Sequence, residues 1–295
     1  MEHAAAHEGK GGKARATLYV VATPIGNLGD ITLRALDVFR SVDAVAAEDT
    51  RVTGRLLEHY GISKPLIAVH EHNEKRVVRQ VLDRLAGGQS LALVTDAGTP
   101  AISDPGAWLV AAVREAGFAV APVPGPSAAV AALSASGFAA PQFLFCGFLP
   151  EKAVARRRAL GELAQLPFTL VFYEAPHRIE ASVADLEAVL GGNRRIVIAR
   201  ELTKLFETLH ACTLAEAPAW LAADANQRKG EFVLLVEGAD AKAEPDSSSA
   251  KRALDVLLAE LPLRQAVDLA AKITGGKRNE LYQRALALKK GVNSE

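Results

Sequence analysis

The sequence predicts an α/β chain: two α/β units in series, followed by a small helical module. Three observations carry this. Short apolar runs alternate with helical patterns from Thr17 onward. Most runs end abruptly in polar loops punctuated by Gly and Pro. After a polar stretch, Asp240 to Ala250, the pattern changes to leucine stripes at helical spacing.

Leu91-Ala92-Leu93-Val94 is the clearest strand, apolar on both faces as a buried parallel strand must be. It opens into Thr95-Asp96-Ala97-Gly98-Thr99-Pro100, and Gly98 there lets a ligand approach the backbone. Thr17 to Ala22 is the first strand, and Asp30 is placed to cap the helix bearing Ile31, Ala35, Leu36 and Phe39. Ala44 to Ala47 is the second strand, with a helix to Tyr60 and Gly61 as its stop. Pro65 to Val69 is the third, followed by a helix from Lys75 to Ala86. A helix from near Pro105 turns Trp108, Leu109, Ala112 and Val113 inward, and Ala119 to Val123 is the fifth strand. Ser127 caps a small-residue helix, and Gln142 to Phe148 reads as the last strand of this unit.

The first unit is therefore expected over 17–150, after a leader over 1–16, and the second over 151–240. In the second, a helix over 150–166 precedes strands at Thr169 to Tyr173, Arg195 to Ala199, Glu207 to Cys212 and Glu231 to Glu237. Helices are expected from Arg178 to Leu190 and around Trp220. Residues 241–250 read as a linker. Residues 251–295 read as three short helices with a basic turn, Gly275-Gly276-Lys277-Arg278, resembling a helix-turn-helix. A solvated helical dimer arm is the competing reading of that tail.

Composition narrows the function. The 34 basic and 34 acidic residues cancel, so any nucleic-acid affinity must come from local patches rather than the global field. No apolar run reaches the roughly 18 residues of a membrane helix. The start of the chain, rich in His, Gly and Lys, lacks the apolar core of a signal peptide. Two cysteines, Cys146 and Cys212, in apolar stretches and without a CxxC, fit a reducing cytoplasm and no metal site. There is no GxGxxG after the first strand, no GxxxxGK[ST] and no GxSxG.

A parallel first sheet brings several loops to one edge: Pro24-Ile25-Gly26-Asn27, Glu48-Asp49-Thr50-Arg51, Asn73-Glu74, Asp96-Ala97-Gly98 and Pro124-Gly125-Pro126-Ser127. Such a site holds a small cofactor mainly through backbone groups, with Pro24 and Gly26 among them. Asp96 either accepts hydrogen bonds from a ligand or merely caps its loop.

These stretches, in order, carry a resemblance: TPIGNLGDITLRA, AEDTR, DAGTPAISDPG, PGPSA, GFLP, EAPHR and KGEF. The chain resembles the tetrapyrrole methylase superfamily, and within it the enzymes that methylate small-subunit ribosomal RNA. The segment usually read Glu-Ser-Pro-His-Arg has Ala175 in place of Ser, a small-for-small change. The resemblance implies two α/β domains with S-adenosylmethionine in the cleft between them. It implies a homodimer that methylates the ribose 2′-oxygen of a cytidine in 16S rRNA near the P site. By analogy Asp96, Ala97, Gly98, Ile102, Ser127, Ala128 and Tyr173 face the cofactor, and Lys229-Gly230 closes the pocket.

Methylating a 2′-hydroxyl calls for a proton acceptor or for stabilisation of a developing alkoxide. Asp49 and Glu74 are the candidate acceptors, and Arg51 the candidate clamp on alkoxide or phosphate. Equally, Glu48, Asp49 and Arg51 can cap the next helix and pair with one another. Arg178, Arg200 and Lys204, at strand ends of the second unit, and Lys277 and Arg278 in the tail, are candidate RNA contacts. Salt bridging within the protein is the other reading of Arg178, Arg200 and Lys204. His70, His72 and His177 read as ordinary hydrogen-bonding residues. Two further functions fit the same pattern: a small-molecule tetrapyrrole methyltransferase, and a non-enzymatic RNA-binding assembly factor. The basic tail separates the first of these from an RNA enzyme, because a soluble macrocycle gives it no task.

Overall fold

The computed structural model describes residues 16–70, 73–139, 142–239 and 247–292. The expected leader, apart from Ala16, and His72 lie outside the described residues. Contacts divide the chain into a unit ending at Gly238 and a second beginning at Ala239.

Leu91–Val94 forms strand β4, buried at every residue, in the middle of a five-stranded sheet. Its companions are β1 (Thr17–Val21), β2 (Ala44–Ala47), β3 (Leu66–Ala68) and β5 (Ala119–Val123), in the order β3-β2-β4-β1-β5. All pairings are parallel, with Leu18 beside Leu91 and Ala46 beside Leu93. Side chains alternate between two cores, as the two-residue period requires. Leu18, Ala44, Ala46, Leu91 and Leu93 meet α3 (Glu74–Ala86) and α4 (Ala107–Glu115) on one face. Val21, Val45, Ala47, Ala92 and Val94 meet α1 (Leu33–Ser41) and α2 (Thr50–His59) on the other. Each fully buried Leu or Phe here, such as Leu18 and Phe39, contributes about 1.5–3 kcal/mol. Since α1 leaves β1 on one face and α4 leaves the adjacent β4 on the other, a crevice opens between their carboxyl ends.

The α1 cap differs from expectation. Thr32, not Asp30, accepts from the Ala35 amide, because Leu28–Asp30 is a separate 3-10 turn capped by Asn27. The α4 helix starts at Ala107, after Gly106 in a positive-φ conformation.

The second sheet has the order β6-β7-β10-β8-β9. Its strands are β6 (Phe143–Phe148), β7 (Thr169–Glu174), β8 (Arg195–Arg200), β9 (Thr208–Thr213) and β10 (Phe232–Val236). Thus β6, expected to close the first unit at residue 150, belongs to the second sheet. It pairs in parallel with β7 through α6 (Ala153–Leu163), a crossover the sequence shows only as a helix between two apolar runs. The other pairings are antiparallel. On one face lie α6, α7 (Ile179–Leu190) and α8 (Ala217–Ala223). Arg156 and Asp185 form a buried ion pair between α6 and α7, at 2.7 Å. On the other face lies α5 (Ala128–Ala135), whose Ala129 and Ala132 pack on Val171, Val233 and Leu235. The helix that follows the first sheet therefore covers the second, and its small residues allow the close approach. Ile25, from the loop after β1, joins the same cluster.

The unit after residue 238 holds α9 (Ser247–Glu260), α10 (Leu263–Thr274) and α11 (Arg278–Val292) around Leu254, Ala266, Val267, Ala270, Leu281 and Ala285. Helix α9 starts at Ser247, so the stretch read as linker is already helical by that residue. On this unit Leu269, Ile273 and Leu288 remain exposed. Gly275 ends α10 in the left-handed conformation, φ 70°, that favours glycine. Among the described residues, no helix is long and apolar enough to cross a membrane.

Candidate functional site

The loop after β1 is tied to the loop after β4 by a two-hydrogen-bond bridge. The Thr23 amide donates to the Gly98 carbonyl at 2.9 Å, and Gly98 returns the bond to Thr23 at 3.0 Å. Thr99 Oγ1 donates to the Pro126 carbonyl, adding the loop after β5. The loop after β2 joins through carboxylates. The Asp49 amide donates to Asp96 Oδ1 at 3.0 Å, and the Asp96 amide donates to Glu48 Oε2 at 3.3 Å. Parallel strands thus bring the loops after β1, β2, β4 and β5 together, as a parallel sheet requires.

They wall one side of a cavity of about 390 Å³. The first-sheet side supplies Ile25, Ala97, Gly98, Thr99, Ile102 and Asp104, with Ser127 and Ala128 at the start of α5. The opposite wall comes from the second sheet and its loops: Phe148, Tyr173, Glu174, Leu202, Glu231 and Phe232, among others. The size suits a drug-sized ligand. The lining pairs aliphatic side chains with a few hydroxyls and carboxylates, so it offers a small ligand both apolar surface and a few polar contacts.

Two loops with unusual backbone face the cavity. Ala101 and Ser103 have φ 65°, and Glu201 and Thr203 have φ 51° and 67°. Among the described residues these are the non-glycine positions with positive φ, and each pair flanks a lining residue, Ile102 or Leu202. Such strain concentrates at ligand clamps.

Of the residues expected at the cofactor, Ala97, Gly98, Ile102, Ser127, Ala128 and Tyr173 line the cavity. Pro24, Gly26, Asp96 and Gly230 do not, though each adjoins a lining residue. Asp96 holds the β2 loop through the Asp49 amide instead. Gly230 lies against Glu201, where a Cβ would come within 2.4 Å of Cγ.

Of the expected catalytic groups, Asp49 and Arg51 sit outside the lining. Asp49 is the N-cap of α2, accepting from the Arg51 amide at 2.8 Å and from Arg51 Nη2 at 2.6 Å. Its hydrogen bonds with the Arg51 guanidinium and amide lower its carboxyl to about 2. The Arg51 side chain is otherwise open, 87% exposed. Glu74 opens α3, and its side chain lies outside the described residues.

Sequence reasoning passed over Asp104. Burial raises its carboxyl to about 6, and the nearby Glu48 and Asp96 charges add to this. It belongs to the DAGTPAISDPG stretch, but a motif does not show which way a side chain turns. Phe148 of GFLP, Glu174 of EAPHR and Leu202 were missed for the same reason.

The candidate RNA contacts in the second sheet are engaged within the protein. Arg178 donates to the Leu149 carbonyl and lies beside the buried Glu174 carboxylate, which also accepts from Ser182. Arg200 donates to the carbonyls of Lys229 and Phe206. Lys204 Nζ donates to Glu201 and Glu231, each at 2.9 Å. In the helical unit, Lys277 lies 3.5 Å from Glu280, and Arg278 pairs with Asp268. Among the described residues no cluster of His, Cys, Asp and Glu could hold a metal ion.

Comparison with known proteins agrees with this architecture. A family model described as Tetrapyrrole (Corrin/Porphyrin) Methylases matches residues 17–218, and one described as RsmI C-terminal HTH domain matches 244–289. A Pseudomonas aeruginosa protein named Ribosomal RNA small subunit methyltransferase I is 54% identical, over 92% of this chain and 96% of that one. An Escherichia coli O157:H7 protein of the same name is 53% identical, over 91% and 94%. The solved structure of the methyltransferase CobJ shares the fold, with TM-score 0.57 at 18% identity over 76% of this chain and 95% of its own. A cobalt precorrin-4 methyltransferase shares it at TM-score 0.54 and 20% identity, over 75% and 94%.

Proposed function

The chain belongs to the tetrapyrrole methylase family, in the branch of the ribosomal RNA small subunit methyltransferases I, and we propose that it methylates the 2′-oxygen of a cytidine ribose in 16S rRNA, near the P site of the small subunit. The observation that carries this reading is the match to rRNA methyltransferases over 92% of the chain, with the helical unit matched as well, together with a cavity walled by both sheets. Its cofactor is S-adenosylmethionine, whose sulfonium supplies an electrophilic methyl group when bound.

The lining fits that cofactor. Ile25, Ile102 and Leu202 offer apolar surface for adenine. The hydroxyls of Thr99 and Ser127 and the backbone about Gly98 offer polar contacts, and Gly98, at φ 81°, keeps the loop in a shape that favours glycine. Asp104 places a carboxylate in the wall, where it favours a cation.

Asp104 is also the group best suited to take the ribose proton. With its carboxyl raised to about 6, it is ionised at neutral pH yet more basic than an ordinary carboxylate. Asp49, at about 2 and bound to Arg51, is a poor acceptor and serves to cap α2. Arg51, whose side chain stays 87% exposed beside its Asp49 partner, meets a phosphate of the RNA. Arg178, Arg200 and Lys204 hold the cavity wall, and Lys277 and Arg278 meet RNA from the helical unit.

The enzyme acts in the cytoplasm as a homodimer. Its described cysteines are free thiols, and the exposed Leu33, Leu205 and Phe206 give a second copy apolar surface to bury. The test is methyl transfer from labelled S-adenosylmethionine to small-subunit particles lacking the modification, with mass mapping of the nucleosides. Label on a cytidine ribose near the P site is expected. Cofactor binding without transfer to the particle would move the assignment to a small-molecule acceptor.

A further inference from the structure

The GFLP stretch supplies an aromatic side chain that the reaction so far does not use. Phe148 lines the cavity and is 55% exposed. Its direction is set by an irregularity in β6. Leu144 and Cys146 pack against the helical face of the second sheet, whereas Phe145 joins the cluster on the α5 face. Strict alternation would send Phe148 to the helical face as well. The register with β7 instead shifts, with Phe145 opposite Val171 and Gly147 opposite Phe172. A bulge re-aims the side chains beyond it, and Phe148 is turned to the side of Phe145. Both rings then meet Tyr173 edge-on, at centroid distances of 4.9 and 5.7 Å. Gly147 has φ 65°, and a Cβ there would come 3.0 Å from Ser103 Oγ, so a strained loop of the first sheet closes over the bulge.

Among the aromatic rings lining the cavity, Phe232 is buried and Tyr173 is half-buried, its hydroxyl accepting from the Ala129 amide. Phe148 is the one with an open ring. A ribose inside folded RNA is reached by drawing its nucleotide out of the stack, and the freed base then seeks a π-surface. We propose that Phe148 is the stacking platform for the target nucleobase, presented at the cavity by the β6 bulge. This rests on the RNA reading above and adds to it the subsite that holds the base.

The test uses full-length Phe148→Leu and Phe148→Tyr. Cofactor affinity is read by calorimetry, transfer kinetics on small-subunit particles, and oligomeric state by sedimentation. The Leu variant should bind S-adenosylmethionine as the wild type does, which also shows that it is folded. Its kcat/KM for the particle should fall about 10- to 100-fold, mostly through KM, as expected when a base loses its aromatic partner. The Tyr variant, which keeps the ring, should restore transfer. Unchanged transfer by the Leu variant overturns the proposal. A parallel loss of cofactor affinity assigns the ring to the cofactor, and a change in oligomeric state assigns it to a second copy; either result also overturns it. If the wild-type chain binds cofactor but never methylates the particle, the RNA reading itself has failed, and the wild-type control reveals this before any variant is compared.

Discussion

Lys204 lies across Gly26 with no room for a side chain between them: a Cβ on Gly26 would sit 2.5 Å from Lys204 Cγ. Gly26 belongs to the loop after β1 and Lys204 to the loop after β8, so the contact joins the two walls of the cavity. The Lys204 ammonium then bridges Glu201 and Glu231, and Glu231 is itself in the wall.

Gly26→Ala should therefore force the walls apart. The added methyl meets the Lys204 stem at both Cγ and Cε, at 2.5 and 2.8 Å, and overpacking of this kind costs about 1–3 kcal/mol. Urea unfolding should show that loss, and calorimetry should show weaker S-adenosylmethionine binding. Wild-type values in both would mean that Lys204 swings aside freely.

Lys204→Met keeps the stem and removes the charge. Burial by itself raises the Glu201 carboxyl, but the Glu231 amide and the Lys204 ammonium outweigh it and hold the group below its usual range. A carboxyl lowered on folding adds stability above its unfolded pKa and loses it as pH falls through the folded value. The variant should lose about 1.5–3 kcal/mol near neutral pH, the range for hydrogen bonds to charged groups. The gap to wild type should narrow below about pH 4, where the unfolded carboxyl also protonates. A gap independent of pH would assign the loss to packing.

Asp104→Asn should lower kcat by about 10²- to 10⁴-fold, the usual contribution of a proton acceptor. The wild-type pH profile of kcat/KM for the cofactor should rise through about 6, where Asp104 ionises, and the variant should lack that limb. The stability effect has the opposite sense. A carboxyl raised on folding favours the folded state when protonated, so stability should decline as pH rises from about 4 to about 6. Asn removes this decline. A variant with wild-type kcat would exclude Asp104 as the acceptor.

Lys277→Ala combined with Arg278→Ala should weaken binding to small-subunit RNA and reduce the slope of log K against log salt by about 1–2. Cofactor affinity should be unaffected. Since both side chains lie by acidic partners, Glu280 and Asp268, an unchanged slope would show that these ion pairs persist in the complex.

The sequence by itself determined the alternation of strands and helices, the parallel first sheet and the set of loops at its edge. Runs such as Leu91 to Val94 are local and leave little choice of environment, and Gly and Pro mark where they stop. The ordered motifs likewise fixed the family, because each is read from adjacent residues. Tertiary structure alone decided which side chains enter the cavity. Ala97, Gly98 and Tyr173 do so, whereas Asp96 turns to the β2 loop, and Asp49 and Arg51 satisfy each other. Nor could the chain read in order place β6 in the second sheet, since strand partners are chosen by hydrogen bonds between distant segments. The bulge that swings Phe148 toward Tyr173, and the burial and neighbouring charges that raise Asp104, depend on residues from other strands and loops. Direction and environment are properties of packing, and no local spacing encodes them.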